Sequence, residues 1–498
     1  MAQDLSALPR SLYTGQQIRA AETEAVARGD VTLYGLVERA GEAAFSLITQ
    51  QHSAPTEVLV LAGTGNNGAD ALVCAARLLK AGYAVTLMAL PKAEPGEPLS
   101  LALAAFAAQG GKVQPMALPE IAKAKLIVDG LLGTGVTGAL RPGLADIIAA
   151  VNGANAWVLS LDLPSGLNAD TGACGGVPVQ ADVTLTFGGL KQGLFTAKGR
   201  QHSGFIALAE LGLAAYLPQP AALKVTLEYL ASCLAPRARD SHKGMAGKVL
   251  IVGGDTGMAG AIRLAGEACL RAGAGLVTVM SRPEHQVTVN MNRPELMFLG
   301  CEPADQAFLQ RLEWAQLVLL GPGLGQQAWG RACFDACLGA GRAGIPRLLD
   351  ADALNLLSQA PRSCPDWVLT PHPGEAARLL GCSLAEVETD RFAAIRAIQR
   401  KYEGVVLLKG AGTLIFDGEH MYVAPVGNPG LASGGCGDVL SGIIAALMAQ
   451  GLEPISATLA GVIVQGYAAD LAAAEGERGM LASDLMPFIR QLVNSDLL

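Results

Sequence analysis

Two α/β domains in tandem are what this sequence of 498 residues predicts, and three observations predict them. The length exceeds what one ordinary hydrophobic core accommodates. Glycine is abundant at 61 residues while aromatics make up only 5%, a balance suited to many tight strand-to-helix turns. Finally, an apolar run, a glycine loop, an amphipathic stretch and a second apolar run occur in that order once in each half. That order is the βαβ unit of a parallel sheet.

The first cycle, EVLVLAGTGNNGADALVCAARLLKAGYAVTLMAL, starts at Glu57. It gives a strand, a loop at 63–68, a helix to about Lys80 and a strand from Ala84. Further strands are expected at 125–129 (KLIVD), 156–162 (AWVLSLD) and 181–187 (ADVTLTF), each followed by glycine or Pro-Ser-Gly turns. The proline-rich stretch 217–223 (LPQPAAL) has no periodicity and reads as the linker, so the domains are taken as 1–220 and 221–498. The second cycle, from Gly247, predicts strands at 249–252, 276–280, 317–320, 347–350, 367–370 and 405–409.

Composition excludes several classes. A hydrophobic content of 51% excludes disorder, and a net charge of −8 without a long basic run argues against a nucleic-acid surface. The start, MAQDLSALPR, lacks a charged head followed by an apolar core, so a cytoplasmic protein is expected. The apolar stretches 439–448 and 458–464 are interrupted short of membrane-spanning length and read as buried helices. The ten cysteines show no CxxC pairs; Cys333 and Cys337, four apart on an expected helix, come nearest to a metal pattern. Free buried thiols are expected.

The densest chemistry lies in residues 428–442, NPGLASGGCGDVLSG. Its glycines allow backbone N–H groups to converge on an anion at a helix N-terminus, with the Asp438 carboxylate at the lip. A tight glycine turn capped by Asp438 is the alternative. Three other loops follow expected strands: 321–325 (GPGLG), 370–375 (TPHPGE) and 409–413 (KGAGT). Carboxyl ends of parallel strands are where such sheets bind ligands.

Together these segments resemble the ribokinase-like superfamily. SHKGMAGKVLIVGG, TPHPGE and NPGLASGGCGDVLSG resemble its NAD(P)H-hydrate dehydratases, over residues 223–498. The resemblance implies a ribokinase-like α/β/α domain in which Lys409, Gly410, Ala411, Gly412, Thr413 and Gly437 contact a nucleotide. It implies that Ala261, Gly323, His372 and Asp438 line the hydrated nicotinamide site, that Asp438 is catalytic, and that ADP with magnesium is the phosphoryl donor. His372 could instead hold a loop carbonyl, and Lys409 could be a surface charge at a strand end. Cys436 stands where the family has Ser, Thr or another small or flexible residue.

The first half carries 63–70 (GTGNNGAD), 129–138 (DGLLGTGVTG), 162–166 (DLPSG) and 187–193 (FGGLKQG), all just after expected strands. The first is not a dinucleotide fingerprint, since it lacks both the GxGxxG spacing and the acid about 20 residues on. Oxygen donors from Asn67, Asp129 and Ser165 suit a hard cation. This set resembles the NAD(P)H-hydrate epimerase domain over residues 11–216, which implies a Rossmann-like three-layer α/β/α fold. The resemblance makes Asn67, Asp129 and Ser165 potassium ligands. It places Asn66, Asn67, Gly68, Ala69, Asp70, Gly133, Thr134, Gly135, Val136, Thr137, Gly138, Ala139 and Asp162 against substrate, with Asp162 as acid/base. Lys191 is either a second polar group of the site or a solvent-facing lysine, and Asp162 could instead make an Asx turn before Pro164. Ala71 replaces a glycine usual in the family.

The combined expectation is a bifunctional metabolite-repair enzyme. It would epimerise the R and S forms of NADHX and NADPHX and dehydrate the S form, converting ADP to AMP and phosphate. A ribokinase-superfamily kinase fused to a regulatory domain is the rival, and a nucleotide-binding scaffold a further one. Expected partners are these small molecules, with no nucleic acid, no membrane and a homo-oligomeric assembly.

Overall fold

The computed structural model describes residues 3, 5–92, 94–135, 138, 140–300, 302–303, 305–339 and 344–494. The chain divides into two compact units, Met1–Lys224 and Val225–Leu498.

In the first unit the strands are β1 (Ser11–Leu12), β2 (Glu57–Ala62), β3 (Ala84–Ala89), β4 (Val113–Gln114), β5 (Leu126–Gly130), β6 (Trp157–Leu161), β7 (Val183–Phe187), β8 (Phe205–Ala209) and β9 (Ala222–Lys224). Seven of them form a sheet in the order β4-β3-β2-β5-β6-β7-β8, with every neighbour parallel. Side chains alternate across it. Val58, Val60 and Ala62 face a core with the helices Leu33–Gln51, Asn66–Lys80 and Glu97–Ala108. Leu59 and Leu61 face the opposite core, shared with Ile147, Ile148 and Val151 of the helix Pro142–Gly153. Apolar residues on both faces of central strands are what a buried parallel sheet demands.

The end of the expected linker is a strand instead. Residues β9 pair antiparallel with β1, and the fully buried Lys224 ammonium donates to the carbonyls of Leu5 and Leu8. Backbone satisfaction by a distant two-residue partner leaves no local periodicity to read.

The second unit contains β10 (Lys248–Val252), β11 (Leu276–Ser281), β12 (Met297–Gly300), β13 (Leu317–Leu320), β14 (Arg347–Leu349), β15 (Trp367–Leu369), β16 (Val405–Leu408), β17 (Thr413–Phe416) and β18 (Met421–Ala424). The order is β18-β17-β16-β15-β14-β13-β10-β11-β12. It is parallel from β12 to β16 and antiparallel through β16, β17 and β18. Val249 and Ile251 pack with the helices Ala259–Arg271, Cys436–Ala449 and Pro454–Ala472, while Gln306–Trp314 and Ala328–Leu338 contact β10 and β13.

The helix Pro454–Glu475 is longer than the sequence suggested. By length and composition it could cross a membrane, yet 67% of its apolar window is buried, much of it in the core just described. Cys333 and Cys337 are likewise buried, and the described cysteines are all free thiols.

Strand ends in the second unit meet through backbone contact. Gly321, with φ 128°, follows β13, and a Cβ there would lie 1.8 Å from the Asp350 carbonyl oxygen. Gly321→Ala therefore combines a forbidden contact with a strained conformation. It is expected to cost at least about 2 kcal/mol, read as a lowered urea midpoint for the second unit; a change within about 0.5 kcal/mol would refute the constraint.

Candidate active sites

In the first unit the loop after β2 opens the helix Asn66–Lys80, and a cavity of about 380 Å³ lies beside it. Asn66, Asn67, Asp70, Gly133, Thr134, Gly135, Asp162 and Lys191 line it, together with Glu22. Of the other expected contacts, Ala69 is fully buried in the apolar core and Gly68 packs behind the loop, where a Cβ would meet the Gly63 carbonyl at 2.1 Å. Gly138 is exposed away from the cavity wall. Val136, Thr137 and Ala139 lie outside the described residues.

Asp162 follows β6 with φ 65°, a left-handed conformation that Asp tolerates better than most residues. Its Oδ1 accepts a hydrogen bond from Lys191 Nζ at 2.5 Å. The Phe187 amide and the Thr186 hydroxyl, both on β7, lie at the edge of hydrogen-bond range, at 3.4 and 3.5 Å. No local Asx turn forms; the carboxylate is held by the next strand. Lys191 is not solvent-facing but 1% exposed, and it also donates to the Phe187 carbonyl at 2.5 Å and Thr186 Oγ1 at 3.1 Å. The Gly133 loop faces the free Oδ2, since a Cβ on Gly133 would lie 3.3 Å from it.

Two more carboxyls share this charge. Burial, then the neighbouring Asp162 and Glu22, pushes Asp70 well above the ordinary carboxylate range and so favours its protonated form. Glu22 is raised by burial, with Lys191 opposing. A sequence could not announce Glu22, which stands far from the glycine motifs on the helix Gly15–Ala27.

Asn67 and Ser165 meet at Leu132, and Ser165 joins that point to Asp129. Asn67 Nδ2 donates to the Leu132 carbonyl at 2.8 Å, and Ser165 Oγ accepts from the Leu132 amide at 2.9 Å. Asp129, fully buried, already accepts four hydrogen bonds: from Leu131 N, Ser160 Oγ, Ser165 N and Ser165 Oγ. Asn67 Oδ1, by contrast, is buried without a partner. That orphaned acceptor beside a buried carboxylate suits a weakly charged cation.

In the second unit the loops after β10 and β13 are joined by hydrogen bonds from Gly254 N to Pro322 O at 3.0 Å and Asp255 N to Gly323 O at 2.6 Å. They bring Gly323 against Ala261: a Cβ on Gly323 would lie 3.3 Å from the Ala261 Cβ. Across the sheet, Lys409 at the end of β16 pairs with Asp350 at 2.6 Å, and Asp350 Oδ2 accepts from Ser441 at 2.6 Å. Gly437 abuts this pair, its would-be Cβ 3.3 Å from Lys409 Nζ. Lys409 is thus no surface charge, and Asp350, 1% exposed, is a central member that the sequence reading missed.

Asp438 does not cap its helix. Gly435, with φ 90°, is the N-cap of Cys436–Ala449, and Asp438 stands in the first turn. Burial and Asp350 push its carboxyl up to about 7 against the opposing Lys409. Glu375, the last residue of the TPHPGE segment and given no role there, is pushed up to about 7 by burial despite Lys409. Burial would lower the Lys409 ammonium, but Asp350 and Glu375 outweigh it and the net shift is upward.

His372 caps the helix Pro373–Leu380, its Nδ1 accepting from the Gly374 amide at 3.0 Å. It holds amides rather than a carbonyl. Burial, then Lys409, lowers its pKa, so the ring is neutral at pH 7. Cys436 is buried, and its carbonyl accepts from Gln465 Nε2 at 2.5 Å. Among the described residues no three His, Cys, Asp or Glu side chains are arranged to hold a metal ion by themselves.

Each unit thus sets an acidic group beside a buried lysine at the carboxyl end of a parallel sheet, which defines a two-site α/β enzyme with one Rossmann-like and one ribokinase-like domain. Residues 249–491 match the family model described as NAD(P)H-hydrate dehydratase, and residues 33–193 the model for the YjeF-related protein N-terminus. The chain is 45% identical over 97% of its length to the bifunctional NAD(P)H-hydrate repair enzyme Nnr of Coxiella burnetii, covering 99% of that protein. It is 44% identical over 98% of its length to the Escherichia coli enzyme of that name, covering 95% of it. The second unit is similar to a ribokinase-like superfamily protein from Enterococcus faecalis, with a TM-score of 0.51, 29% identity and coverage of 55% of this chain and 95% of that one. The chain belongs to the bifunctional NAD(P)H-hydrate repair enzymes, and the fused kinase-plus-regulator reading is not favoured.

The buried Asp162–Lys191 pair yields a stability test. Lys191→Met strands a mostly buried carboxylate and is expected to cost about 2–4 kcal/mol, while adding Asp162→Asn recovers much of that loss. A double-mutant cycle by urea unfolding checks it; additive losses would show the two groups uncoupled.

Proposed function

We propose that the first unit interconverts the R and S hydrates of NADH and NADPH, and that the second dehydrates the S hydrate at the expense of ADP, giving AMP and phosphate. The observation that supports this most is the identity to repair enzymes maintained across both units, with a carboxyl-and-lysine site in each.

In the first unit, Asp162 and Asp70 line one cavity with different partners: Asp162 is paired with Lys191, while burial favours the protonated form of Asp70. Asp162 accepts a proton and Asp70 donates one. Such a pair can help the C6 hydroxyl leave or the ring nitrogen open, and then support re-addition on the other face. Potassium would be held by Asn67 Oδ1, with Asp129 supplying charge and Ser165 orienting the Asp129 carboxylate. When bound, the ion adds positive charge next to the Gly133 loop.

In the second unit, Asp438 takes the proton of the hydrate's ring hydroxyl as that oxygen attacks the terminal phosphoryl group of ADP. Lys409 and the N–H groups around Gly437 balance the charge that develops. The ring nitrogen lone pair then expels phosphate, and loss of a neighbouring proton restores the dihydropyridine. Ala261 and Gly323 form a small-residue wall for the ring. Magnesium would be held at Glu375, where it would add positive charge beside the phosphates of ADP; the raised pKa of that carboxyl marks the uncompensated negative charge that a cation relieves. Free thiols throughout the described cysteines accord with a reducing cytoplasm.

Asp438→Asn should lower the dehydration kcat by about 10³-fold and leave R/S interconversion intact. Asp162→Asn should slow epimerisation by about 10²-fold or more and spare dehydration of the S hydrate. Separate assays of R and S hydrate consumption check both, and equal losses in the two activities would sink the division of labour. The pH profile has a definite sign. Asp438 must be deprotonated to act as base, so dehydratase kcat/KM should rise from acid pH through about 7 and then level off. A flat profile from pH 5.5 to 8.5 would refute Asp438 as the base.

A further inference from the structure

Arg391 opens the helix Arg391–Tyr402 and is 1% exposed, outside every motif the sequence singled out. Its guanidinium lies beneath the loop that joins β16 to β17. Nη2 donates to the carbonyls of Leu408 at 3.2 Å and Lys409 at 3.0 Å, and Nη1 to those of Ala411 at 2.9 Å and Gly412 at 3.2 Å. The remaining carbonyl, that of Gly410, accepts from Thr413 Oγ1 at 3.1 Å. All five carbonyls from Leu408 to Gly412 are therefore engaged within the protein. The Lys409 amide is engaged as well, donating to the Pro371 carbonyl at 2.9 Å. With its acceptors spent, the loop turns the Lys409 ammonium toward a ligand, and the buried positive charge behind it favours an anion.

Gly410 fits this arrangement sterically. Its φ is 141°, and a Cβ would lie 2.7 Å from Arg391 Nη2, so the guanidinium packs flat against bare backbone. A planar fork can gather four carbonyls at once; an ammonium cannot.

We propose that Arg391 is the positioning residue of the nucleotide site: by committing the carbonyls of the 408–412 loop, it removes the acceptors that would repel phosphate and fixes the loop in a shape that favours the phosphates of ADP. This rests on the reading of Lys409–Thr413 as the nucleotide loop. Arg391 acts through the loop and is not itself a catalytic residue. It determines how well the nucleotide is held more than how fast a bound one reacts.

The test compares wild type with Arg391→Lys and Arg391→Met in the full chain, measuring dehydratase kcat and KM for ADP and for the hydrate, and ADP binding by calorimetry. Epimerase activity of the same preparations reports on the first unit. Both variants should raise the KM and the dissociation constant for ADP by at least about tenfold, with kcat within about threefold and the hydrate KM unchanged; lysine should not rescue. A merely structural arginine would instead lower the melting temperature and the active fraction while leaving the ADP constants of the folded molecules at wild-type values, and that result overturns the proposal. Should neither variant fold, Gly410→Ala, which presses a methyl on the same guanidinium, carries the same expectation for ADP, and unchanged ADP constants there overturn the proposal equally. Wild-type protein that binds no ADP would refute the nucleotide loop itself; wild-type binding with unaltered variants refutes only the role of Arg391.

Discussion

Close backbone approach at the ends of parallel strands is the constraint on which both units depend. A Cβ on Gly63 would lie 1.9 Å from the Leu131 carbonyl oxygen, and one on Gly321 would lie 1.8 Å from that of Asp350. In each case a loop following one strand packs without clearance on the backbone following its neighbour in the sheet. No side chain, however small, fits between them. This contact sets the heights at which Leu131 and Leu132 meet Asn67 and Ser165 in one unit, and at which Asp350 meets Lys409 and Ser441 in the other.

On that frame the two sites repeat one electrostatic arrangement with different residues. Three carboxyls surround one buried lysine: Asp162, Asp70 and Glu22 about Lys191, and Asp350, Glu375 and Asp438 about Lys409. One carboxylate of each set is locked to the lysine at 2.5 or 2.6 Å. A single ammonium cannot neutralise three anions in a desolvated pocket, so other carboxyls of each set retain protons to higher pH. Both sites also place a non-glycine residue at positive φ beside the strand end, Asp162 itself and Ala351 after Asp350. Strain tolerated at such points is consistent with carboxylates aimed by tertiary structure rather than by local preference.

The central strands were legible because they are buried on both faces. Runs such as EVLVLA and KVLIV carry their identity in four or five consecutive residues, and the glycine loops after them name the site edge of the sheet. Short or peripheral strands were not: β1, β4 and β9 have two or three residues each, and β8 and β12 lie at sheet edges where Ile206 alone of their residues is fully buried. The hairpin of β17 and β18 hid behind the KGAGT motif, whose last residue begins β17. Within the sites, the motifs supplied Asp162, Asn67, Lys409 and Asp438, but Glu22, Asp350 and Arg391 come from segments with no glycine signature. Their roles arise from pairings between distant positions of sequence, such as Arg391 with Ala411 or Asp350 with Lys409. Periodicity and local motifs contain no information about such pairs.

The raised carboxyls also tie folding to proton binding. For Glu375 and Asp438 the folded-state pKa of about 7 lies above the unfolded value, so the folded state binds protons more tightly than the unfolded chain. Their contribution to stability is fully present below the ordinary carboxylate range and is lost as pH rises through about 7. The proposed role of Asp438 as base needs the opposite ionisation, because it accepts a proton only as an anion. The second unit is therefore least favoured by these groups in the pH range where it can act, and Lys409, whose charge is strengthened by the same carboxyls, is the counterweight that keeps the anionic form within reach. Stability held back in this way is what a cation bound beside these carboxyls would recover.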